Sequence, residues 1–251
     1  MSVKLSLFVL CAVFGVSFSL TTQERVNISK TNVTVYYEAL CKDSAMFVTK
    51  QVYPLLITNQ STSIAHYVDV TFVPFGKAKV INQTEDGMYN FECHHGPEEC
   101  LGNKYQACAI KHVEDKMSLH KYINCTMAQG YLTKETNYSV GKKCADELKL
   151  DSAMLETCAN GKEGNELLAM FGNKTAELMP ALTSVPTVTF NDMFNAEKQT
   201  ESMKNLQSVL CKEIPNSGKL VAECAAAPNS APAVLGASIV MLVTATLANL
   251  Y

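Results

Sequence analysis

Cys41 opens the tetrad Cys41-Lys-Asp-Ser44, directly behind the β-branched and aromatic run Val33-Thr-Val-Tyr-Tyr-Glu38. That run reads as a buried strand. The segment Ser44 to Ile57 carries apolar residues at helical spacing, at Ala45, Phe47, Val48, Val52, Leu55 and Leu56, and Pro54 is expected to kink it. The spacing therefore predicts a strand-to-helix junction with Cys41 at or just before the helix N-terminus. Unpaired N–H groups and the helix dipole favour an anion there. A thiolate is such an anion, so this is a position for nucleophilic sulfur chemistry. Lys42 reinforces the field and Asp43 opposes it.

The cysteine count points to the same residue. The chain has ten cysteines, and Cys11 lies in an N-terminal segment that reads as cleavable. Nine remain: Cys41, Cys93, Cys100, Cys108, Cys125, Cys144, Cys158, Cys211 and Cys224. In an oxidising compartment cysteines pair, and an odd number leaves one over. Eight can form four bridges in 105 ways, which arithmetic does not resolve. Position favours Cys41 as the free thiol. If Cys41 were instead a half-cystine, another cysteine would be unpaired. Cys93, His94, His95, Cys100 and Cys108 could be read as a zinc cluster, but their spacing does not match Cys-x-x-Cys knuckles. No metal ligand is assigned, and His94 and His95 read as surface or packing residues. Tyr36, Tyr37, Phe72 and Phe75 read as core and rim. Neither a Ser-His-Asp set nor a phosphate loop stands out.

The elements that must position Cys41 follow from the pattern along the chain. Tyr67 to Val73 reads as a second strand, ended by Pro74. From Thr84 to Phe171 the pattern is helical and Cys-rich. Strand character returns at Thr183 to Phe190, Asn191-Asp192 makes a turn, and a last helix runs from Glu197 to Cys211. Strands alternating with helices make an α/β layered fold. The order implies a thioredoxin-like sheet with a helical insertion at about 84–171, braced by disulfides. In that arrangement Pro186, at the head of a strand, is the residue expected in cis and facing the reactive cysteine.

The ends speak to compartment. Lys4 followed by the apolar run Leu5 to Phe18, with Ser17 and Ser19, reads as a signal peptide of residues 1–19. The alternative, an N-terminal anchor, has a run short for a bilayer. Seven Asn-x-Ser/Thr sequons follow, at Asn27, Asn32, Asn59, Asn82, Asn124, Asn137 and Asn173, which together imply a glycoprotein. Residues 20–224 form the domain, and 225–251 are a small-residue linker and an uncharged apolar tail. The tail reads as a GPI signal, with Asn229 the attachment candidate. Alternatives are a membrane-spanning tail and a tail removed in processing. Net charge is −3 with Arg25 the single arginine, so nucleic-acid binding has no electrostatic basis.

The segment Cys93-His-His-Gly96-Pro-Glu-Glu99-Cys100-Leu-Gly-Asn103-Lys-Tyr-Gln-Ala-Cys108 resembles the signature of the gamma-interferon-inducible lysosomal thiol reductases (GILT). That signature is Cys-Gln-His-Gly, two residues, Glu-Cys, two residues, Asn, four residues, Cys. Only the Gln differs, being His94. The flanks Val35 to Cys41, Val70 to Gly76 and Ser184 to Val188 are similar as well, so the resemblance covers roughly Val33 to Cys211. It implies a thiol–disulfide oxidoreductase of the secretory or endolysosomal pathway. Its partners would be disulfide-containing or unfolded proteins. It would need no bound cofactor.

The family works through a Cys-x-x-Cys pair, and here the second thiol is the hydroxyl of Ser44. In a dithiol enzyme the second thiol attacks the mixed disulfide and releases product. A serine hydroxyl cannot displace sulfur, although it can hydrogen-bond a thiolate. The site expected to do the chemistry is Cys41, Ser44 and Pro186. Two functions follow. One is a monothiol reductase or isomerase that needs an external small thiol. The other is a weak or inactive relative acting as a cell-surface or secreted binding or regulatory protein.

Overall fold

The computed structural model describes residues 29–58, 62–132 and 139–225. The signal-like segment, Asn27, Asn59, Asn137, Asn229 and the apolar tail lie outside these. Among the described residues no helix is long and apolar enough to cross a membrane.

Strand β1 (Thr31–Tyr37) is the central element, and all its residues but Asn32 are buried. It pairs in parallel with β2 (Val68–Pro74) on one side and antiparallel with β5 (Thr187–Phe190) on the other. β5 turns back into the short β6 (Met193–Phe194), giving the sheet order β2-β1-β5-β6. A parallel pair followed by an antiparallel hairpin, with the crossover helix between the first two strands, is the thioredoxin-like arrangement. Burial on both faces explains why β1 reads as a continuous apolar run and not an alternating one.

Each face carries its own core. Val33, Val35 and Tyr37 pack with Phe47, Val52, Phe72, Tyr122, Leu155 and Leu206. Tyr36, Val73 and Phe75 pack on the opposite side with Cys93, Cys100, Leu168 and Phe171. The second group belongs to α3 (Pro97–His112), α7 (Lys162–Ala176) and the turn before α3. The helical insertion also contains α4 (Lys116–Leu132), α5 (Val140–Glu147) and α6 (Ser152–Asn160).

Three features differ from the sequence expectation. The helical block begins at Pro97 and not at Thr84, because β3 (Lys79–Gln83) and β4 (Tyr89–Glu92) form a separate two-stranded hairpin. The expected helix from Ser44 to Ile57 starts earlier and is not continuous. It comprises α1 (Lys42–Phe47), a π-helical segment at Val48–Val52 and the single turn α2 (Tyr53–Leu56). Pro54 donates no N–H, and the ladder widens just ahead of it. The strand expected from Thr183 starts only at Thr187, after the cis Val185–Pro186 bond.

The expected turn at Asn191-Asp192 is present, with φ of 49° and 62°. Two successive left-handed residues make a tight hairpin whose twist suits the flanking strands. The last long helix, α8 (Ala196–Glu213), is interrupted at Asn205, whose φ is −157°. Short helices α9 (Ser217–Leu220) and α10 (Ala222–Ala225) follow.

The eight remaining described cysteines pair as Cys93–Cys100, Cys108–Cys158, Cys125–Cys144 and Cys211–Cys224. Cys93, Cys100 and Cys108 are therefore half-cystines, not zinc ligands. Of the described sequons, Asn32, Asn82 and Asn173 are exposed and Asn124 is half-buried.

His120 on α4 packs edge-on to Phe72, with ring centroids 6.0 Å apart. Burial, assisted by Lys116, holds its pKa below the ordinary histidine value, while Asp115 opposes. The folded chain thus resists protonating a group that the unfolded chain protonates freely. Stability should be undiminished above about pH 6.5 and fall as pH drops below it toward the folded pKa. Urea midpoints at pH 7 and pH 5 should therefore differ less for His120→Gln than for the unmodified chain. An equal acid-induced drop in both would contradict this.

Candidate functional site

Cys41 is the N-cap residue of α1, with extended backbone at φ −72° and ψ 124°. Its carbonyl accepts from the Ala45 N–H at 2.9 Å, which is the first helical hydrogen bond. Its own N–H donates to the Glu38 carbonyl at 3.3 Å. It is half-buried, and it is the free cysteine among the described residues. Ser44 lies one turn in and is fully buried. Its Oγ accepts from the Glu38 N–H at 3.5 Å, so the hydroxyl also ties the helix to the end of β1.

Between β1 and Cys41 the chain must turn inside the protein, and each buried N–H there needs a partner. Asn103, on α3, supplies one. Its Oδ1 accepts from the Ala39 N–H at 2.9 Å. Glu38 itself is wholly buried. Its Oε1 accepts from the Lys77 N–H at 2.8 Å. Gly76 permits this contact. Its φ is +59°, and a Cβ there would lie inside the Glu38 side chain.

The Cys93-to-Cys108 segment is the second wall of this turn. The Cys93–Cys100 bridge closes a loop that holds His94, His95 and Gly96. Gly96 has φ +87°, and the backbone reverses there before α3 begins at Pro97. Glu99 is fully buried and answers the loop twice. Its Oε1 accepts from the His95 N–H at 3.0 Å, and its Oε2 lies 2.5 Å from His95 Nδ1. Burial raises the Glu99 carboxyl above the usual carboxylate range, against the hydrogen bond from His95. The two histidines were expected to be surface or packing residues. In the structure both Nδ1 atoms lie 3.4 Å from Glu38 Oε2.

Pro186 follows the cis bond to Val185. Gln199 on α8 holds this segment from both sides. Its Nε2 donates to the Pro186 carbonyl at 2.9 Å, and its Oε1 accepts from the Val188 N–H at 2.8 Å. A groove of about 520 Å³ runs between α1 and this segment, lined by Asp43, Met46, Lys50, Val185, Pro186 and Met203, among others. Asp43 stands two residues beyond Cys41. The exit of β1 and the cis-proline segment at the start of β5 therefore lie at the same end of the sheet. Such an arrangement can present an extended peptide beside a thiol. Sequence reasoning missed Glu38 and Gln199, whose partners lie far along the chain. A charged residue directly after a largely apolar strand was the available signal for Glu38.

Gly76→Ala should cost roughly 1–2 kcal/mol for the left-handed backbone alone, and more for the clash with Glu38. Gly87→Ala serves as a control. Its φ is +84°, and its Cβ would meet nothing closer than 3.9 Å. Chemical denaturation should show the larger loss at Gly76. Equal losses would contradict the packing role given to Glu38.

The family model for gamma interferon inducible lysosomal thiol reductase (GILT) matches residues 32–148. The chain is 38% identical over 196 residues to GILT-like protein 1 of Drosophila melanogaster, covering 74% of this chain and 76% of that one. It is 36% identical over 230 residues to a gamma-interferon-inducible lysosomal thiol reductase-like protein of Anopheles gambiae, covering 87% and 90%. Among solved structures it is similar to a DsbA of Chlamydia trachomatis, with 16% identity, TM-score 0.49, and coverage of 73% of this chain and 86% of that one.

Proposed function

Because this chain belongs to the gamma interferon inducible lysosomal thiol reductase family, we propose that it is a thiol–disulfide oxidoreductase working with one thiol, that of Cys41. One observation carries the reading. Cys41 is the free cysteine among the described residues, at a helix start, and the residue one turn on is a buried serine.

The Cys41 thiolate attacks one sulfur of a substrate disulfide. A Cys41–substrate disulfide forms, and the other substrate sulfur leaves as a thiolate. Ser44 cannot complete the cycle. An external thiolate then attacks Cys41 sulfur and releases the second substrate thiolate, leaving Cys41 in a mixed disulfide with the small thiol. A second equivalent of small thiol regenerates Cys41 and carries away the oxidising equivalents as its own disulfide. The substrate class is a disulfide-bearing protein with a segment extended enough to lie in the groove between α1 and Pro186. The names of relatives, together with exposed sequons at Asn32, Asn82 and Asn173, support a glycoprotein of the secretory or endolysosomal route. Attachment through the C-terminal tail is part of the same proposal.

Where no small thiol is present, the mixed disulfide persists, and the protein acts as a covalent binder. Steady-state reduction of a protein disulfide at mildly acid pH separates the two. Turnover should depend on small-thiol concentration and vanish in Cys41→Ala. Ser44→Cys should raise turnover at limiting thiol by roughly tenfold or more, since an intramolecular thiol has a high effective concentration. No turnover above the small thiol's own rate, or turnover surviving Cys41→Ala, would overturn the enzyme reading.

A further inference from the structure

The groove beside α1 has three walls, and two glutamines tie them together. One wall is α1 with the π-helical segment Val48–Val52, the second is the cis-proline segment, and the third is the first half of α8, through Gln199 and Met203. Gln199 joins the third wall to the second. Its amide donates to the Pro186 carbonyl at 2.9 Å and accepts from the Val188 N–H at 2.8 Å. Gln51 joins the third wall to the first. Its Nε2 donates to the Lys204 carbonyl and its Oε1 accepts from the Leu206 N–H, both at 3.2 Å.

The backbone groups that Gln51 meets flank the break of α8 at Asn205, whose φ of −157° and ψ of 89° are not helical. A break leaves carbonyl and N–H groups without their helical partners, and these need others. Gln51 stands in the π-helical turn of the opposite wall, so the two irregular turns meet at one side chain. Beyond the break Asn205 Oδ1 accepts from the Ser208 N–H at 3.0 Å and caps a new helix. Residues 196–204 are thus a separate strut, tied to the cis-proline segment by Gln199 and to the first helix by Gln51. The β1 ladder ends at Thr187, and Gln199 anchors the residue ahead of it. The cis-proline segment is also closed on itself, because Thr187 Oγ1 donates to the Ser184 carbonyl at 2.7 Å.

We propose that Gln51 and Gln199 are positioning residues for peptide substrates: through the strut they set the width of the groove between α1 and Pro186. The proposal rests on the reading of Cys41 as the attacking thiol and adds what aligns its substrate. A primary amide suits both places, since it donates and accepts from one planar group. A disulfide carried on an extended segment reaches Cys41 only by seating that segment in the groove. A small disulfide needs no groove. A misplacement of about 1 Å can cost on the order of a hundredfold in rate, so loss of either bridge is measurable.

The test compares two rate constants in the full-length protein, for mixed-disulfide formation at Cys41 with an extended peptide disulfide and with hydroxyethyl disulfide. Gln199→Met, close in shape but unable to form either bond, should lower the peptide rate constant at least about tenfold and the small one less than about twofold. Gln51→Met should act in the same direction. Gln207→Met removes another glutamine contact of α8, to the Glu223 carbonyl at 3.1 Å, away from the groove, and should change neither. Gln199→Glu gives a readout that general loosening would not. A protonated carboxyl donates and accepts, whereas an ionised one only accepts. Its peptide-to-small ratio, which cancels the thiolate fraction, should climb toward that of the unmodified chain as pH falls from about 7 to about 4. Equal falls in both rate constants for Gln199→Met, an unmoved ratio in that variant, or a ratio flat with pH in Gln199→Glu would overturn the proposal. Failure of the thiol reading itself looks different: unmodified Cys41 would react with neither disulfide, and the proposal would fall with it.

Discussion

The structure depends on how the chain leaves β1. A buried strand must become a helix start within four residues, and the amide groups of that turn are shut away from water. Three of them have partners, two of these from side chains outside the turn's backbone. Ser44 answers the Glu38 N–H, Asn103 answers the Ala39 N–H, and the Glu38 carbonyl answers Cys41. Leaving a buried donor unmet costs about 1–3 kcal/mol. These bonds, of which that to Asn103 is the shortest at 2.9 Å, help fix the backbone leading to Cys41. The motif from Cys93 to Cys108 acts here as a scaffold for the thiol, since Asn103 and the bridge of Cys93 to Cys100 hold the wall against which this turn is made.

Ser44 takes on a second meaning in this light. A hydroxyl one turn past Cys41 cannot resolve a mixed disulfide, but it is a good acceptor for a backbone amide, and sulfur is a weak one. The change that removes the second thiol is thus consistent with a well-held turn. Loss of the dithiol need not loosen the site. On the proposed reading, Cys41 keeps its strand and its helix start while the second half of the reaction passes to an external thiol. The same turn buries a carboxylate, so thiol chemistry and the Glu38 cluster lie three residues apart and share one set of backbone contacts.

Much of this was legible in the residues. β1 announces itself through a run buried on both faces, and Cys41 stands at its exit before helical spacing begins. The hairpin of β3 and β4 was not legible. Every residue of β3 is exposed, so no buried face imposes alternation, and the strands exist by pairing with each other. β5 was read too long because Thr183, Val185 and their neighbours are strand formers, whereas Pro186 lacks the N–H a ladder needs. The free cysteine followed from counting and position, but the four pairings did not, since connectivity is a matter of proximity in the fold. Glu38 and Gln199 escaped for the same reason. Their partners at Lys77, His94, His95 and Pro186 are brought near only by packing.

The central claim is that Cys41, held by this turn, starts disulfide exchange and cannot finish it alone. Its most direct test is intact-mass analysis of the unreduced protein mixed with a disulfide-linked peptide pair and quenched with acid. One peptide adduct, mapped to Cys41 and stable until a small thiol is added, is the predicted result. No adduct, an adduct on another cysteine, or an adduct that resolves with no thiol present would contradict the account.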